Sequence, residues 1–197
     1  MKSATAQMGL AAGGWILLSV FAWSLPPDKE YLTPQEIEKI QDAQELDKRV
    51  KIYLEAASLR LKTAEERLNG KESESGDPME FFSAEDMVDG YYRIIRSVML
   101  NLDGATQNPR TDQGMFVKAL KNLKETTEKS QKDLSILKKI AEDKRMEGLW
   151  NAVNRSIDIT EGAHEGAQSG LSKEPEQAKQ KGRSPEKKKG PPTLGPP

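Results

Sequence analysis

Residues 33–69 constrain the fold more than any other part of the chain. The stretch has no Gly, and its one Pro, Pro34, is its second residue. Thr33 is suited to an N-cap, Pro34 to the first helical position, and Glu36 to the third position of a capping box. From Val50 onward, apolar residues recur at alternating steps of four and three, the heptad pattern of a coiled-coil seam. The pattern predicts one amphipathic helix over 33–69, roughly 50 Å long at about 1.5 Å per residue.

The rest of the chain supplies helices that would cover the apolar face of the first one. Apolar residues at helical spacing predict them over about 83–103, 112–142 and 145–169. Ser83 and Asp112 are the expected N-caps. Around 142–145 the sequence E-D-K-R contains neither Gly nor Pro, which leaves two alternatives: a tight turn, or one helix that runs to about residue 168. Ordinary helix lengths favour the turn.

The connections carry Gly and apolar residues at the expected helix ends. Gly70 predicts a left-handed cap for the first helix. The loop that follows ends with Met79, Phe81 and Phe82, which are too apolar for a free loop, and we expect them to plug one end of a bundle. Three glycines are expected to loosen the end of the last helix, namely Gly162, Gly166 and Gly170.

Together these elements predict an all-α fold, an up-and-down antiparallel bundle of three to four long, coiled-coil-like helices over 33–170. Of the 197 residues, 31% are charged and 6% are aromatic, a balance that suits a helical bundle better than a large aromatic core. The first helix is much longer than the second, so either the helix over 112–141 covers the rest of its apolar seam, or part of that seam remains available to another molecule. This predicted partner surface consists of Val50, Leu54, Ala57, Leu61 and Leu68.

The N-terminus is typical of an export signal. One positive charge, Lys2, precedes an uncharged run over 8–25 that ends at Pro26. We therefore expect residues 1–24 to be a signal peptide, or alternatively an uncleaved membrane anchor, because such a run is just long enough to cross roughly 30 Å of hydrocarbon. In both cases the body is expected in the periplasm or outside the cell.

The C-terminal segment 171–197 is predicted to be a disordered, basic, Pro- and Lys-rich tail. It holds seven Lys or Arg against three Glu, which leaves a net −6 for residues 28–170. Such a tail is suited to contact with a polyanion such as a membrane surface or a cell-wall polymer; the alternative is a solubilising tail. The residues expected to make this contact are Arg183, Lys187, Lys188 and Lys189. Nucleic acid is not expected as a partner of an exported protein.

The absence of some residue types and motifs excludes several kinds of active or metal-binding site. There is no Cys, which rules out disulfides, thiolate nucleophiles and zinc–thiolate sites. The single His, His164, is accompanied by no nucleophile elbow and no phosphate-binding Gly motif. Glu161 and His164 have the Glu-x-x-His spacing of carboxylate-bridged metal bundles, but those sites need two such motifs. We expect an exposed polar helix end here, with no metal, no cofactor and no enzymatic activity; the alternative is a weak metal site.

Residues 32–36, L-T-P-Q-E, resemble the L-T-x-x-Q element of small periplasmic helical chaperones and metal-stress sensors, with Glu36 in the position of the Gln. The resemblance covers five residues, and capping alone explains a Thr-Pro-x-Glu helix start. It implies a periplasmic chaperone or envelope-stress sensor. The residues themselves favour an exported, non-enzymatic protein that acts by protein–protein interaction, scaffolding or self-association in the periplasm or cell envelope. A metal- or ligand-binding helical bundle is the third alternative.

Overall fold

A computed structural model describes residues 30–181, with side chains over 30–173. Within 30–181 the chain is all-helical, as predicted, and contains no strand. This part of the chain has five helices: α1 Pro34–Asp42, α2 Leu46–Leu68, α3 Ala84–Gln107, α4 Gln113–Asp143 and α5 Glu147–Lys181. None of these described helices is both long and apolar enough to cross a membrane. The expected signal segment 1–24 lies outside the described residues.

The start of α1 is the capping box that the sequence predicts. The Glu36 N–H donates to Thr33 Oγ1 at 3.2 Å, and the Thr33 N–H donates to Glu36 Oε2 at 2.7 Å. Two backbone donors that the first turn leaves unpaired are thereby satisfied. Ser83 and Asp86 form the same reciprocal arrangement at the start of α3.

The predicted single helix over 33–69 is wrong, because the chain breaks between α1 and α2. Ala43, the C-cap of α1, is extended with φ −76° and ψ 95°. Its carbonyl oxygen accepts hydrogen bonds from Arg49 Nε at 3.1 Å and Nη2 at 3.0 Å, which satisfy the acceptor that the ended helix leaves free. α1 then packs back against α2 and buries Leu32 and Ile40. A straight helix would leave these two side chains in water.

Two helices end in the same hydrogen-bonded cap, although only one of them carries a Gly there. At the end of α2, Gly70 has φ +82°, and its N–H donates to Arg67 O at 3.0 Å. At the end of α4, Arg145 takes the left-handed conformation with φ +54°, and its N–H donates to Glu142 O at 3.1 Å. The turn alternative is therefore the one that the structure adopts between α4 and α5.

The apolar loop before α3 folds back only in part. Met79 is buried, and Phe82 packs against the core while remaining half-buried. Phe81 is 85% exposed, so the expected plug does not include it. The Arg67 guanidinium donates to the Met79 carbonyl oxygen and ties this loop to α2.

Both α3 and α5 run further than predicted. α3 continues past residue 103 to Gln107 and stops at Asn108, whose extended φ of −94° and ψ of 111° suit a residue before Pro109. α5 continues through residues 171–181, which were expected to belong to the disordered tail. Leu171 still packs against the core at that point, and no helix-ending Gly follows until residue 182.

The four long helices, α2 to α5, form a closed ring. α2 packs against α3 and α4, α5 packs against the same two helices, and α3 and α4 barely touch. Lys144 Nζ donates to Leu68 O at 2.6 Å, which brings the C-terminal ends of α2 and α4 together. Glu85 lies against Gly148, which brings the N-terminal ends of α3 and α5 together. Successive helices therefore alternate in direction, as predicted, but α3 and α4 lie diagonally across the ring. The neighbours α2 and α4, and likewise α3 and α5, are parallel and not antiparallel as expected.

Candidate functional site

A cleft opens where α3 ends, α4 begins and α5 runs past both. Its volume is about 610 Å³, inside the roughly 300–1,000 Å³ range of ligand pockets. The apolar part of its lining consists of Met99, Leu102, Phe116, Leu120 and Leu123. Thr106, Asn108 and Thr111 contribute polar groups from the end of α3 and the α3–α4 connection. The lining therefore combines apolar side chains and polar groups in similar measure, and a ligand could be held by both.

The wall of the cleft that α5 supplies carries three glycines. Gly162, Gly166 and Gly170 occur at every fourth position of α5 and line the cleft; we call them the glycine face. A Cβ built on Gly170 would lie 2.8 Å from Leu120 Cδ1, so internal packing accounts for that glycine. A Cβ built on Gly162 or Gly166 meets no atom within 4 Å. Nothing within residues 30–173 therefore requires a glycine at either of these two positions.

The glycine face does not loosen the helix, contrary to expectation. α5 is continuous from Glu147 to Lys181. Ala163 and Ala167 follow the first two glycines, and both are 1% exposed in the core. The two alanines pack this side of α5 into the core. The glycines beside them are therefore held in regular helix, and their own side is open to the cleft.

We call two exposed glutamates of α5 the acidic rim, although neither is part of the cleft lining itself. Glu161 and Glu165 precede the two open glycines, are exposed, and form no ion pair with the described residues. They are four positions apart on one helix, where two like charges repel each other by a few tenths of a kcal/mol. Within the lining itself, the charged residues are Asp103 and Lys173, one of each sign. The acidic rim adds two negative charges beside this balanced lining, and Arg110, between the lining residues Pro109 and Thr111, adds one positive charge.

Behind the cleft, a row of hydroxyl groups crosses the core. Tyr91 OH lies 2.7 Å from Thr160 Oγ1, and Thr160 Oγ1 donates to Ser156 O at 2.5 Å. The Tyr91 hydroxyl is consequently the donor to Thr160. Burial raises the pKa of Tyr91 above its ordinary value, and its hydrogen bonds with Ser130 and Thr160 act in the opposite direction. The tyrosine stays a neutral donor that joins α3 to α5.

His164 is half-buried and contacts α4, whereas the sequence predicted an exposed polar helix end. Its Nδ1 lies 3.2 Å from Thr127 Oγ1, and that hydroxyl donates to Leu123 O at 2.8 Å. Either group can donate in the Thr127–His164 contact, according to the tautomer of the imidazole. Among the described side chains, no three His, Asp or Glu residues are grouped so that they could hold a metal ion. Glu161 is exposed.

The predicted partner surface on α2 lies inside the fold. Four of its five residues are between 0% and 3% exposed, and Leu68 is partly buried against the same core. The four are Val50, Leu54, Ala57 and Leu61. The structure adopts the other alternative, because α4 packs alongside α2 and covers the seam that α3 leaves. The tail residues Arg183, Lys187, Lys188 and Lys189 lie outside the described residues.

Sequence reasoning missed the cleft, although its signal is present. Glycines at every fourth position form one face of a helix, and the interpretation as a loosened helix end overlooked that spacing. The remaining walls come from α3 and α4, which are distant in sequence, and no single-chain pattern reveals that they meet.

No family model, no curated protein and no solved structure matches this chain. The function is therefore argued from the geometry and charge of the cleft.

Proposed function

We propose that this protein is an exported, non-enzymatic interaction protein of the periplasm or cell envelope, and that it binds a helix of a partner protein in the cleft. The partner helix would place a stripe of small or apolar residues against the glycine face. Its Lys or Arg side chains would flank that stripe and meet Glu161 and Glu165. This is helix-in-groove recognition, in which the groove is formed by three helices of one chain.

The observation that carries the proposal is the pair of open glycines, Gly162 and Gly166. A glycine inside a helix is less favourable than alanine by about 1 kcal/mol. At Gly170 the close packing of Leu120 offsets that penalty. At the other two positions the described residues supply no such contact. A second helix backbone that approaches the open side would use the space that a side chain would otherwise fill.

The charge of the rim favours a basic partner. Glu161 and Glu165 are exposed and lack a described counter-ion, and the body over 28–170 carries a net −6. Opposite charges accelerate encounter and fix orientation more than they add affinity. A partner with an acidic flank would be repelled by the same two carboxylates.

The cleft favours binding over catalysis. The groups whose pKa is displaced include Tyr91 and Tyr53, both raised by burial, and Asp133, raised for the same reason. None of these three lines the cleft. A catalytic cleft normally gathers such groups within reach of one another.

The location rests on the sequence alone. The uncharged run over 8–25 supports export, either through a cleaved signal or through an anchor. The basic residues over 183–189 support an additional contact with an anionic surface. Fractionation of cells that express the full chain tests the location independently of the cleft.

The binding proposal is tested with two synthetic amphipathic helical peptides that share an Ala/Leu stripe and differ only in Lys or Glu flanks. Binding is followed through the backbone amide NMR signals of Gly162 and Gly166. We expect the Lys peptide to shift these signals and the Glu peptide to leave them in place. The double variant G162L/G166L should weaken binding at least about tenfold, a change of about 1.4 kcal/mol.

The matched control is G104L. Gly104 is also in a helix, a Cβ built there also meets nothing within 4 Å, and the residue does not line the cleft. This variant should bind the Lys peptide as the wild type does. Equal weakening in G104L and G162L/G166L would refute the site. Binding without regard to charge would instead favour the chaperone alternative.

A further inference from the structure

The connection between α1 and α2 is short and has no feature that requires a bend. It consists of Ala43, Gln44 and Glu45, three residues that are all compatible with helix. It contains neither the Gly nor the Pro that usually marks a helix break. The bend is maintained by contacts outside the connection: Arg49 on the Ala43 carbonyl, and the docking of α1 on α2.

The docking of α1 centres on one buried ion pair. Arg60 of α2 is 2% exposed, and its Nη2 lies 2.5 Å from Glu36 Oε2 of α1. The same guanidinium donates to the Tyr31 carbonyl oxygen at 3.1 Å. Tyr31 OH in turn lies 3.2 Å from Ser97 Oγ of α3. Residues 31–42 thus occupy a groove on α2 and α3 through a defined set of polar contacts.

The bent form of this segment fills the groove of its own chain, and the straight form leaves that groove empty. If α1 continued α2 as a single helix, Glu36 and Arg60 would be 24 residues apart along it, or about 36 Å. The pair could not form within one chain. The groove around Arg60 would be empty, and the docking face of α1 would be exposed.

We propose that residues 31–42 exchange between two copies of this chain, so that α1 of each copy docks on Arg60 of the other. In this dimer α1 and α2 of each chain form one straight helix over about 34–68. Every docking contact of the monomer recurs between the copies, and only the 43–45 connection changes conformation. Such exchange is a low-cost route to a closed two-fold dimer. The occupant of the groove in the dimer is a second copy of this chain, and the cleft on α5 takes no part in it.

A pair of charge-reversal variants distinguishes a dimer formed by exchange of α1 from a dimer formed in any other way. The variant E36R places two cations in the groove of its own chain, and R60E places two carboxylates there. If the two variants are refolded together as full chains, an exchanged heterodimer pairs the E36R side chain with the R60E side chain. The second groove of that heterodimer pairs the unchanged Glu36 and Arg60. Both pairs are restored only by exchange.

Sedimentation and native mass spectrometry measure the result. We expect the mixture to contain at least about tenfold more dimer than either variant alone at the same total concentration. That dimer should have a one-to-one composition. A mixture that behaves as the sum of its separate components overturns the proposal.

Two further variants keep the test decisive if a reversed charge prevents folding. Q44P forbids a straight helix but suits the bent form, because Ala43 is already extended as a residue before Pro must be. R49A removes the donors that hold the bend. We expect Q44P to remain monomeric at concentrations where the wild type dimerises, and R49A to dimerise more readily. Equal dimer fractions in the wild type, Q44P and R49A would also overturn the proposal.

Discussion

The Glu36 carboxylate contacts the Arg60 guanidinium at 2.5 Å across 24 residues of sequence. The same carboxylate oxygen, Oε2, accepts the Thr33 N–H and completes the capping box of α1. One side chain therefore starts a helix and fastens that helix to the next one. Because capping alone explains a Glu at this position, the tertiary contact has no separate signal in the sequence.

A double-mutant cycle on this pair should show strong coupling. R60M removes the cation from a site where the arginine side chain is 3% exposed, and we expect a loss of about 3 kcal/mol in the free energy of unfolding. E36Q, at a more exposed carboxylate, should lose about 1–2 kcal/mol. The double variant should lose about 1–3 kcal/mol less than the sum. Additive losses in denaturant unfolding would contradict a direct interaction.

Alkaline pH should test the hydroxyl row through Tyr91. Y91F removes the donor to Thr160 and should lower the free energy of unfolding at neutral pH by about 1 kcal/mol. Because burial raises the pKa of Tyr91, the folded state keeps its proton longer than the unfolded state does. The contribution of Tyr91 is fully present below the ordinary tyrosine pKa of about 10 and is lost as the pH rises through the folded-state value.

The measurement for Tyr91 is the difference in the free energy of unfolding between the wild type and Y91F as a function of pH. This difference should be constant below about pH 10 and should shrink above it. The comparison cancels the contribution of Tyr53, whose pKa burial also raises. A difference that grows with alkaline pH would mean that the buried phenol is not held neutral.

Truncation of the two neighbouring phenylalanines should affect the free energy of unfolding to very different extents. F82A removes a ring that packs against the core, and because that ring is half-buried we expect a loss of about 1–3 kcal/mol. F81A removes a ring that is 85% exposed and should change the free energy of unfolding by less than about 0.5 kcal/mol. Chemical denaturation of both variants distinguishes them. Equal losses would mean that Phe81 also packs against the fold.

The sequence predicts those parts of the fold that depend on neighbouring residues. Ser83 predicts the cap of α3, and Gly70 predicts the left-handed end of α2, because each residue type has a local physical role. The interruption at Ala43 was missed, since it is held by Arg49 and by a contact to Arg60 that lie outside the connection. At Ala43 the local helix propensity favours a continuous helix, whereas the docking of α1 on α2 favours the break. In the bent form the docking contacts outweigh the local propensity.

The candidate site was less predictable than the fold. Gly162 and Gly166 are visible in the sequence, but their significance depends on what faces them. Phe116 of α4 and Met99 of α3 complete the cleft only because those two helices end and begin at the same place. The residues proposed from the heptad seam, such as Leu61, were instead used to build the core.

The cap of α4 should be improvable by one substitution. Arg145 adopts φ +54°, a conformation that places Cβ close to the following carbonyl and is unfavourable by about 1–2 kcal/mol for residues other than glycine. The cap itself is well formed, since the Met146 N–H donates to Ala141 O at 2.9 Å and the Arg145 N–H donates to Glu142 O at 3.1 Å. The arginine side chain is exposed, so little is lost with it.

R145G should therefore raise the free energy of unfolding by up to about 1 kcal/mol, because glycine removes the strain while adding some freedom to the unfolded chain. The equivalent position at the end of α2 already carries glycine, with φ +82° at Gly70, and G70A should lower the free energy of unfolding by about 1 kcal/mol. R145G introduces a glycine at this cap position and G70A removes one. The free energy of unfolding of both variants is measured by denaturant unfolding. If R145G were destabilising, the arginine side chain would have to make a contact that its exposure does not suggest.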